Sequence, residues 1–385
     1  MLDEQDVSNV RNRYNLRELA GAFGDLSTLV PFVLAYISLL NFNPAAVLFA
    51  FGLTNLVIGL VYKTPIPVQP MKAIGTAAVA RAAHITPGMV WGAGLFSGLF
   101  WLVMGSTGAI KHIMKLVRKP VIKGIVLGLG VAFLASGLKM MAQAPLTALV
   151  GLALILVLSK NKKIPAILAL LSFGAVTAIL AKPQLLTELS RVRPSLYIPV
   201  FTLKPFTLSE FLQGAVLLAL PQVPLTLGNG IIAIVAENND LFPNRPVTLR
   251  QVTMSTALMN LFTPFTGGIP MCHGAGGMAG HVRFGARTGG ATVILGLVLL
   301  GLALFFGRSL PLLLMLFPPA VLGVVMFFAG VELASSARDF GTGKKDLFLL
   351  AVTAGLAVWN AGAALLAGVI LSICFYRRDC KPNNH

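Results

Sequence analysis

The sequence predicts an all-α polytopic membrane protein of fourteen transmembrane segments, built as two inverted repeats of seven. Three observations predict it. Hydrophobic residues make up 56% of the chain against 11% charged, and mean hydropathy is +0.83, far above the soluble globular range. The Lys and Arg residues behind the net charge of +17 lie in short connections between apolar stretches, where they set topology rather than bind nucleic acid. Two unusually short apolar stretches, each behind a Pro- or Gly-interrupted segment, stand at matching places in the two halves, which is the sequence pointer to an inverted-repeat transporter.

Residues 1–16 carry Asp3, Glu4, Asp6, Arg11 and Arg13 without an apolar core of signal-peptide length, so this segment is expected in the cytosol. A full span takes roughly 20 apolar residues, and shorter pieces are allowed where backbone lines a cavity. On that basis the first repeat, 17–181, divides into segments at 17–40, 45–62, 71–84, 88–108, 121–139, 143–159 and 164–181. The connection 182–209, with Pro183, Pro194, Pro199 and Pro205, reads as extracytoplasmic. The second repeat, 210–376, gives 210–234, 246–262, 273–282, 288–307, 311–334, 344–359 and 361–376, followed by a cytosolic tail at 377–385. With the amino terminus inside, Lys111, Lys115, Arg118, Lys119, Lys123, Lys160, Lys162 and Lys163 all fall on the cytosolic side, and an even number of spans returns the carboxy terminus there. Seven is odd, so the halves must be inverted. Thr64-Pro65-Ile66-Pro67 before the third segment corresponds to Gly267-Gly268-Ile269-Pro270 before the tenth, 203 positions on (Thr64 to Gly267).

These two places suit an anion. A helix that begins inside a membrane leaves its first N–H groups unpaired and carries roughly half a positive charge at that end. Pro67 and Pro70 cannot donate to a ladder, and Gly268, Gly274, Gly276 and Gly277 let backbone approach a ligand. The candidate ligands are Gln69 and Lys72 at the third segment and Cys272, His273, Gly274 and Ala275 at the tenth. A charge such as Lys72 costs roughly 2.5–3.5 kcal/mol at the bilayer midplane, so it needs a negative neighbour or substrate. Asp25, an acid deep in the first segment, pairs with Lys72, takes part in proton coupling, or does both. Gln222 and Asn229 in the eighth segment either donate to an oxyanion or bridge helices.

Other chemistry fits less well. Cys272, Cys374 and Cys380 have neither zinc nor disulfide spacing, and His273 lacks a second His or carboxylate at ligand spacing, so no metal site is expected. The Gly274–Gly280 run lacks the strand and βαβ setting of a nucleotide loop. A membrane-embedded enzyme would need paired carboxylates or clustered His near one interface, whereas the acids lie almost all in loops, so neither enzyme nor cofactor is expected. The pairs Gly94/Gly98 and Gly124/Gly128 read as close helix packing, and Arg283 and Arg287 as topology anchors.

Three motifs carry a family resemblance: Glu18-Leu19-Ala20-Gly21-Ala22-Phe23-Gly24-Asp25-Leu26, Pro67-Val68-Gln69-Pro70-Met71-Lys72-Ala73-Ile74, and Pro270-Met271-Cys272-His273-Gly274-Ala275-Gly276-Gly277 with Phe284-Gly285-Ala286-Arg287 after it. They resemble the signatures of the MOT1-type molybdate transporters, relatives of the sulfate permease (SulP) superfamily, over essentially the whole membrane region. The resemblance implies a SulP/UraA-like fold with a core domain from spans 1 to 4 and 8 to 11 and a gate domain from spans 5 to 7 and 12 to 14. It implies half-helices at spans 3 and 10 meeting at the midplane and no carboxy-terminal STAS domain. The expected function is secondary active transport of molybdate by an elevator-like movement, through an integral protein of the cell (inner) membrane. The partners so implied are the lipid bilayer, molybdate with sulfate or tungstate as alternatives, a coupling H+, and a second copy in a homodimer. A general oxyanion permease, a proton-coupled nucleobase transporter and an anion channel are the competing readings.

Overall fold

The computed structural model describes residues 11–110, 118–158, 166–198, 203, 205–335, 337–338, 341, 343–359 and 361–376. Residues 1–10, Lys111, Lys115, Lys160, Lys162, Lys163 and the tail at 377–385, on which part of the expected topology rests, lie outside the described residues.

The first half runs α1 (Leu16–Ala22), a 3-10 turn at Phe23–Asp25, α2 (Leu26–Leu40), α3 (Pro44–Tyr62), β1 (Gln69–Pro70), α4 (Lys72–Ala80), α5 (Pro87–Thr107), α6 (Lys119–Met141), α7 (Pro145–Leu158) and α8 (Ala166–Ala181). A short α9 (Gln184–Ser190) lies within the expected connection. The second half runs α10 (Leu208–Leu241), α11 (Leu249–Thr266), β2 (Met271–Cys272), α12 (Ala275–Arg283), α13 (Gly290–Phe306), α14 (Leu310–Leu314), α15 (Pro319–Ser335), α16 (Lys344–Trp359) and α17 (Ala361–Tyr376). Helix starts follow capping chemistry. Asn43, Thr86 and Thr248 each accept from a backbone N–H of the first turn of α3, α5 and α11, and Pro44 and Pro87 occupy first-turn positions that need no donor.

Among the described residues, α3, α5, α6 and α10 are each long and apolar enough to cross a bilayer, and six crossings result if the bent pairs α1/α2 and α8/α9 each count as one. The remaining apolar helices are shorter. Two differences from the expected segments have local causes. The eighth continues to Leu241 rather than ending near 234, because Glu237, Asn238 and Asn239 extend the helix with polar residues that an apolar pattern does not register. The twelfth divides at Pro318-Pro319, since proline lacks an N–H and restricts the residue before it.

Small residues set the main contacts. Helix α3 packs along α13, α5 along α11, and α6 along both α15 and α16. A Cβ on Gly59 would sit 2.5 Å from Gly289 O, one on Gly98 2.8 Å from Leu261 N, and one on Gly128 2.3 Å from Ala354 O. Backbones touch there, as expected for Gly98, Gly124 and Gly128, whereas a Cβ on Gly94 would make only an ordinary contact, 3.4 Å from Pro270 Cγ.

The two short strands are antiparallel, with Gln69 opposite Cys272 and Pro70 opposite Met271. Gln69 and Cys272 are 203 positions apart, the same offset that relates the two proline segments. The offset also relates the starts of α4 and α12 (Lys72, Ala275), their ends (Ala80, Arg283) and the starts of α5 and α13 (Pro87, Gly290).

Candidate anion site

The site is built where the two strands end and α4 and α12 begin. Its frame is backbone held by buried polar side chains. Asn260 on α11 clamps β2 from both sides, donating to Met271 O at 2.6 Å and accepting from Met271 N at 3.0 Å. Met71 N donates to Pro270 O at 2.9 Å. Helices from each half also hold the segment that leads into the other half's strand: Trp91 Nε1 on α5 donates to Gly268 O, and Thr292 Oγ1 on α13 donates to Ile66 O.

Asp25 ends the 3-10 turn between α1 and α2, buried at 2% exposure. Its Oδ1 accepts from Gln69 Nε2 at 2.6 Å. The Gln69 amide lies against the first turn of α12. A Cβ on Gly274 would come within 2.0 Å of Gln69 Oε1, and one on Gly277 within 2.2 Å of Gln69 Nε2 and 2.7 Å of Asp25 Oδ1. Glycine at both positions is therefore what admits the amide. Gln69 is fully buried and its Oε1 has no hydrogen-bond partner among the described residues. Asn229 lies beside it, its Nδ2 3.3 Å from where a Gly274 Cβ would stand.

The two helix starts differ. At α4, Gln222 Oε1 accepts from Ala73 N at 2.7 Å and from Ile74 N at 3.4 Å, while its Nε2 donates to Thr226 Oγ1 at 2.9 Å. Gln222 reaches α4 from a stretch of α10 flanked by π-helical turns at Gly214–Ala219 and Thr226–Ile232, with Pro221 and Pro224 between them. At α12, the amides of Ala275 and Gly276 have no acceptor among the described residues. The Lys72 amide of α4 likewise has no acceptor among the described residues, so the open N-terminal donors are Ala275 and Gly276 on α12 and Lys72 on α4, where the half-buried Lys72 side chain adds a positive charge.

His273 and Cys272 both make contacts between the two strand segments. His273 is fully buried, with Nδ1 bonded to Pro67 O and Nε2 to Ser255 Oγ, both at 2.8 Å. Both ring nitrogens are used, so its side chain braces the two strands while its backbone leads into α12. Cys272 is a buried free thiol whose Sγ lies 4.0 Å from Pro70 O. Sequence reasoning missed Asn260, Ser255 and Glu18. Glu18, as buried as Asp25, accepts from Arg287 N at 3.0 Å and Ala291 N at 3.1 Å, tying α1 to the connection between α12 and α13. The signal for Asn260 and Ser255 was the polar row Ser255, Thr256, Asn260 and Thr263 along one helix.

Comparison with known proteins bears on what this arrangement serves. The chain matches the family described as "molybdate transporter of MFS superfamily" over residues 17–133 and 214–333. It is 31% identical to "Molybdate transporter 2" of Arabidopsis thaliana, an alignment covering 94% of this chain and 88% of that protein. It is 27% identical to "Molybdate transporter 1" of Chlamydomonas reinhardtii, over 92% and 90%. Its fold is similar to the transmembrane domain of a cyanobacterium bicarbonate transporter, BicA, at a TM-score of 0.69 and 19% identity, covering 93% of this chain and 98% of that one. It is also similar to the murine Solute Carrier 26 family member A9 anion transporter in the inward-facing state, at a TM-score of 0.69 and 14% identity over 96% and 70%. These relatives are named as transporters, not enzymes.

Proposed function

Because the chain belongs to the molybdate transporter family and is an integral membrane protein with the fold of anion transporters, we propose that it moves molybdate across the membrane as a secondary active transporter. The observation that carries this reading is the pair of half-helix starts at one register, with open Ala275 and Gly276 amides on α12 and the Lys72 charge on α4. Such a pair suits a small tetrahedral dianion, since fixed N–H dipoles and one cation replace part of its hydration. Asn229 Nδ2 adds a side-chain donor beside Gly274. Cys272 and His273 act through their backbone, and Gln222 holds α4 in place rather than contacting substrate. Sulfate and tungstate share the charge and shape that these groups recognise and compete as related substrates.

The larger proposal is fourteen spans in two inverted repeats of seven. It is supported by the common offset of 203 positions and by the reciprocal packing of α3 on α13 and of α5 on α11. In this reading α1–α5 and α10–α13 form the core domain, α6–α8 and α14–α17 the gate domain, and the core carries the anion past the gate in an elevator-like movement.

Gln69 supplies a route for proton coupling. An ionised Asp25 only accepts, so Gln69 must turn Nε2 toward it and Oε1 toward α12, where an acceptor opposes an oxyanion. A protonated Asp25 donates to Oε1 instead, and the turned amide presents its NH2 to the substrate. Proton and oxyanion then bind together.

Titration of molybdate into purified protein in lipid nanodiscs tests the reading. Saturable binding that weakens by about ten- to a hundredfold in Lys72→Ala, the worth of a hydrogen bond to a charged group, is expected. Absence of molybdate binding to folded protein overturns it.

A further inference from the structure

A groove of about 740 Å³ lies away from the anion site, between α3 and α11. Its walls are apolar side chains such as Val57, Val61, Leu258 and Phe262, and its lining also includes Lys63, just past α3, and Arg245, in the connection leading to α11. Its volume is in the range of about 300–1,000 Å³ typical of ligand sites. Val57, Val61 and Leu258 are 48%, 68% and 60% exposed, and α3 is long and apolar enough to cross a bilayer.

The charged residues are what make this more than a seam between helices. Lys63 closes α3 in the left-handed conformation, with φ 56. Arg245 Nη1 donates to Lys63 O, which holds the two residues together. Arg245 Nη2 is buried with no hydrogen-bond partner among the described residues. Burial lowers the Arg245 pKa, Arg13 lowers it further, and Glu18 acts the other way. An unsatisfied guanidinium nitrogen and a lysine beside an apolar slot call for a ligand with an anionic head and a hydrocarbon tail.

We propose that this groove binds an acidic glycerophospholipid, with its phosphate at Lys63 and Arg245 and one acyl chain between α3 and α11. The site also has a line to the strands. Tyr62 OH donates to Ser255 Oγ at 2.9 Å, and Ser255 Oγ is bonded to His273 Nε2; Tyr62 and Ser255 both line the groove. A lipid seated there fixes the wall that braces His273 against Pro67.

Native mass spectrometry and thermal unfolding of the full chain in nanodiscs of phosphatidylcholine, with and without phosphatidylglycerol, test this. Retention of phosphatidylglycerol over phosphatidylcholine and a raised unfolding temperature are expected. Lys63→Asn keeps a residue that tolerates the left-handed conformation and removes one charge. It should weaken phosphatidylglycerol retention by about fivefold, the worth of one interfacial cation. Leu258→Trp, which fills the slot from an exposed position, should lower retention while leaving the charges intact. Inorganic phosphate alone should not raise the unfolding temperature. Equal retention of both lipids, stabilisation by phosphate alone, or unchanged retention in both variants overturns the proposal. The readout is lipid binding, so its failure is separate from any failure of the transport reading.

Discussion

Replacing Gly274 by Ala probes the contact on which the anion site depends. Gly274 has φ −160, an extended conformation open to any residue, so alanine brings no backbone penalty. The cost is steric: the new Cβ would stand 2.0 Å from Gln69 Oε1 and 2.9 Å from its Cδ, and one of them must move. Overpacking of this kind costs about 1–3 kcal/mol. If that cost falls on the Gln69 pose needed for binding, the KM for molybdate rises by about 5- to 150-fold. The assay is initial-rate uptake into proteoliposomes, with thermal unfolding measured on the same preparations. The double variant Gly274→Ala/Gln69→Ala removes the obstructing amide and should recover the unfolding temperature lost in the single one, a coupling that distant residues do not show. A KM within twofold of the parent protein and an unchanged unfolding temperature would refute the packing of Gln69 against Gly274.

Lys72→Ala should abolish uptake at low molybdate without loss of folded protein, checked by size-exclusion chromatography beside the flux measurement; normal uptake removes Lys72 from the mechanism. Asp25→Asn should flatten the pH dependence of uptake that proton coupling through Asp25 imposes. A parent-like pH profile in the variant contradicts the Gln69 relay. Asn260→Leu leaves the two Met271 backbone groups unpaired in the core and should lower unfolding free energy by about 1–3 kcal/mol, read from denaturant or thermal titration. Gln222→Leu exposes the Ala73 and Ile74 amides and should change the ratio of molybdate to sulfate uptake more than the unfolding temperature.

Local chemistry in the sequence reached some of these features and not others. The starts of α4 and α12 were legible because proline and glycine mark an extended stretch before a helix whatever lies around them. Close packing at Gly98 and Gly128 was legible for a similar reason, since a glycine in an apolar helix has few other uses. The bond from Gln69 to Asp25 joins residues 44 positions apart, and that from Ala73 to Gln222 joins residues 149 apart. No local period encodes such pairs. The sequence left Gln222 open between oxyanion donor and helix bridge, and its Oε1 accepts from the Ala73 and Ile74 amides of α4. His273 stood out as a polar residue in a glycine run, yet both its nitrogens serve Pro67 and Ser255. The end of α10 was misjudged because polar residues continue a helix once it leaves the apolar region.

The measurement that bears most directly on the central claim is uptake of molybdate into proteoliposomes of the purified protein, competed with tungstate, sulfate and uracil. The account predicts saturable molybdate uptake, blocked by tungstate, weakened by sulfate and indifferent to uracil. Uptake blocked by uracil alone, or no molybdate flux under an imposed proton gradient, would contradict it.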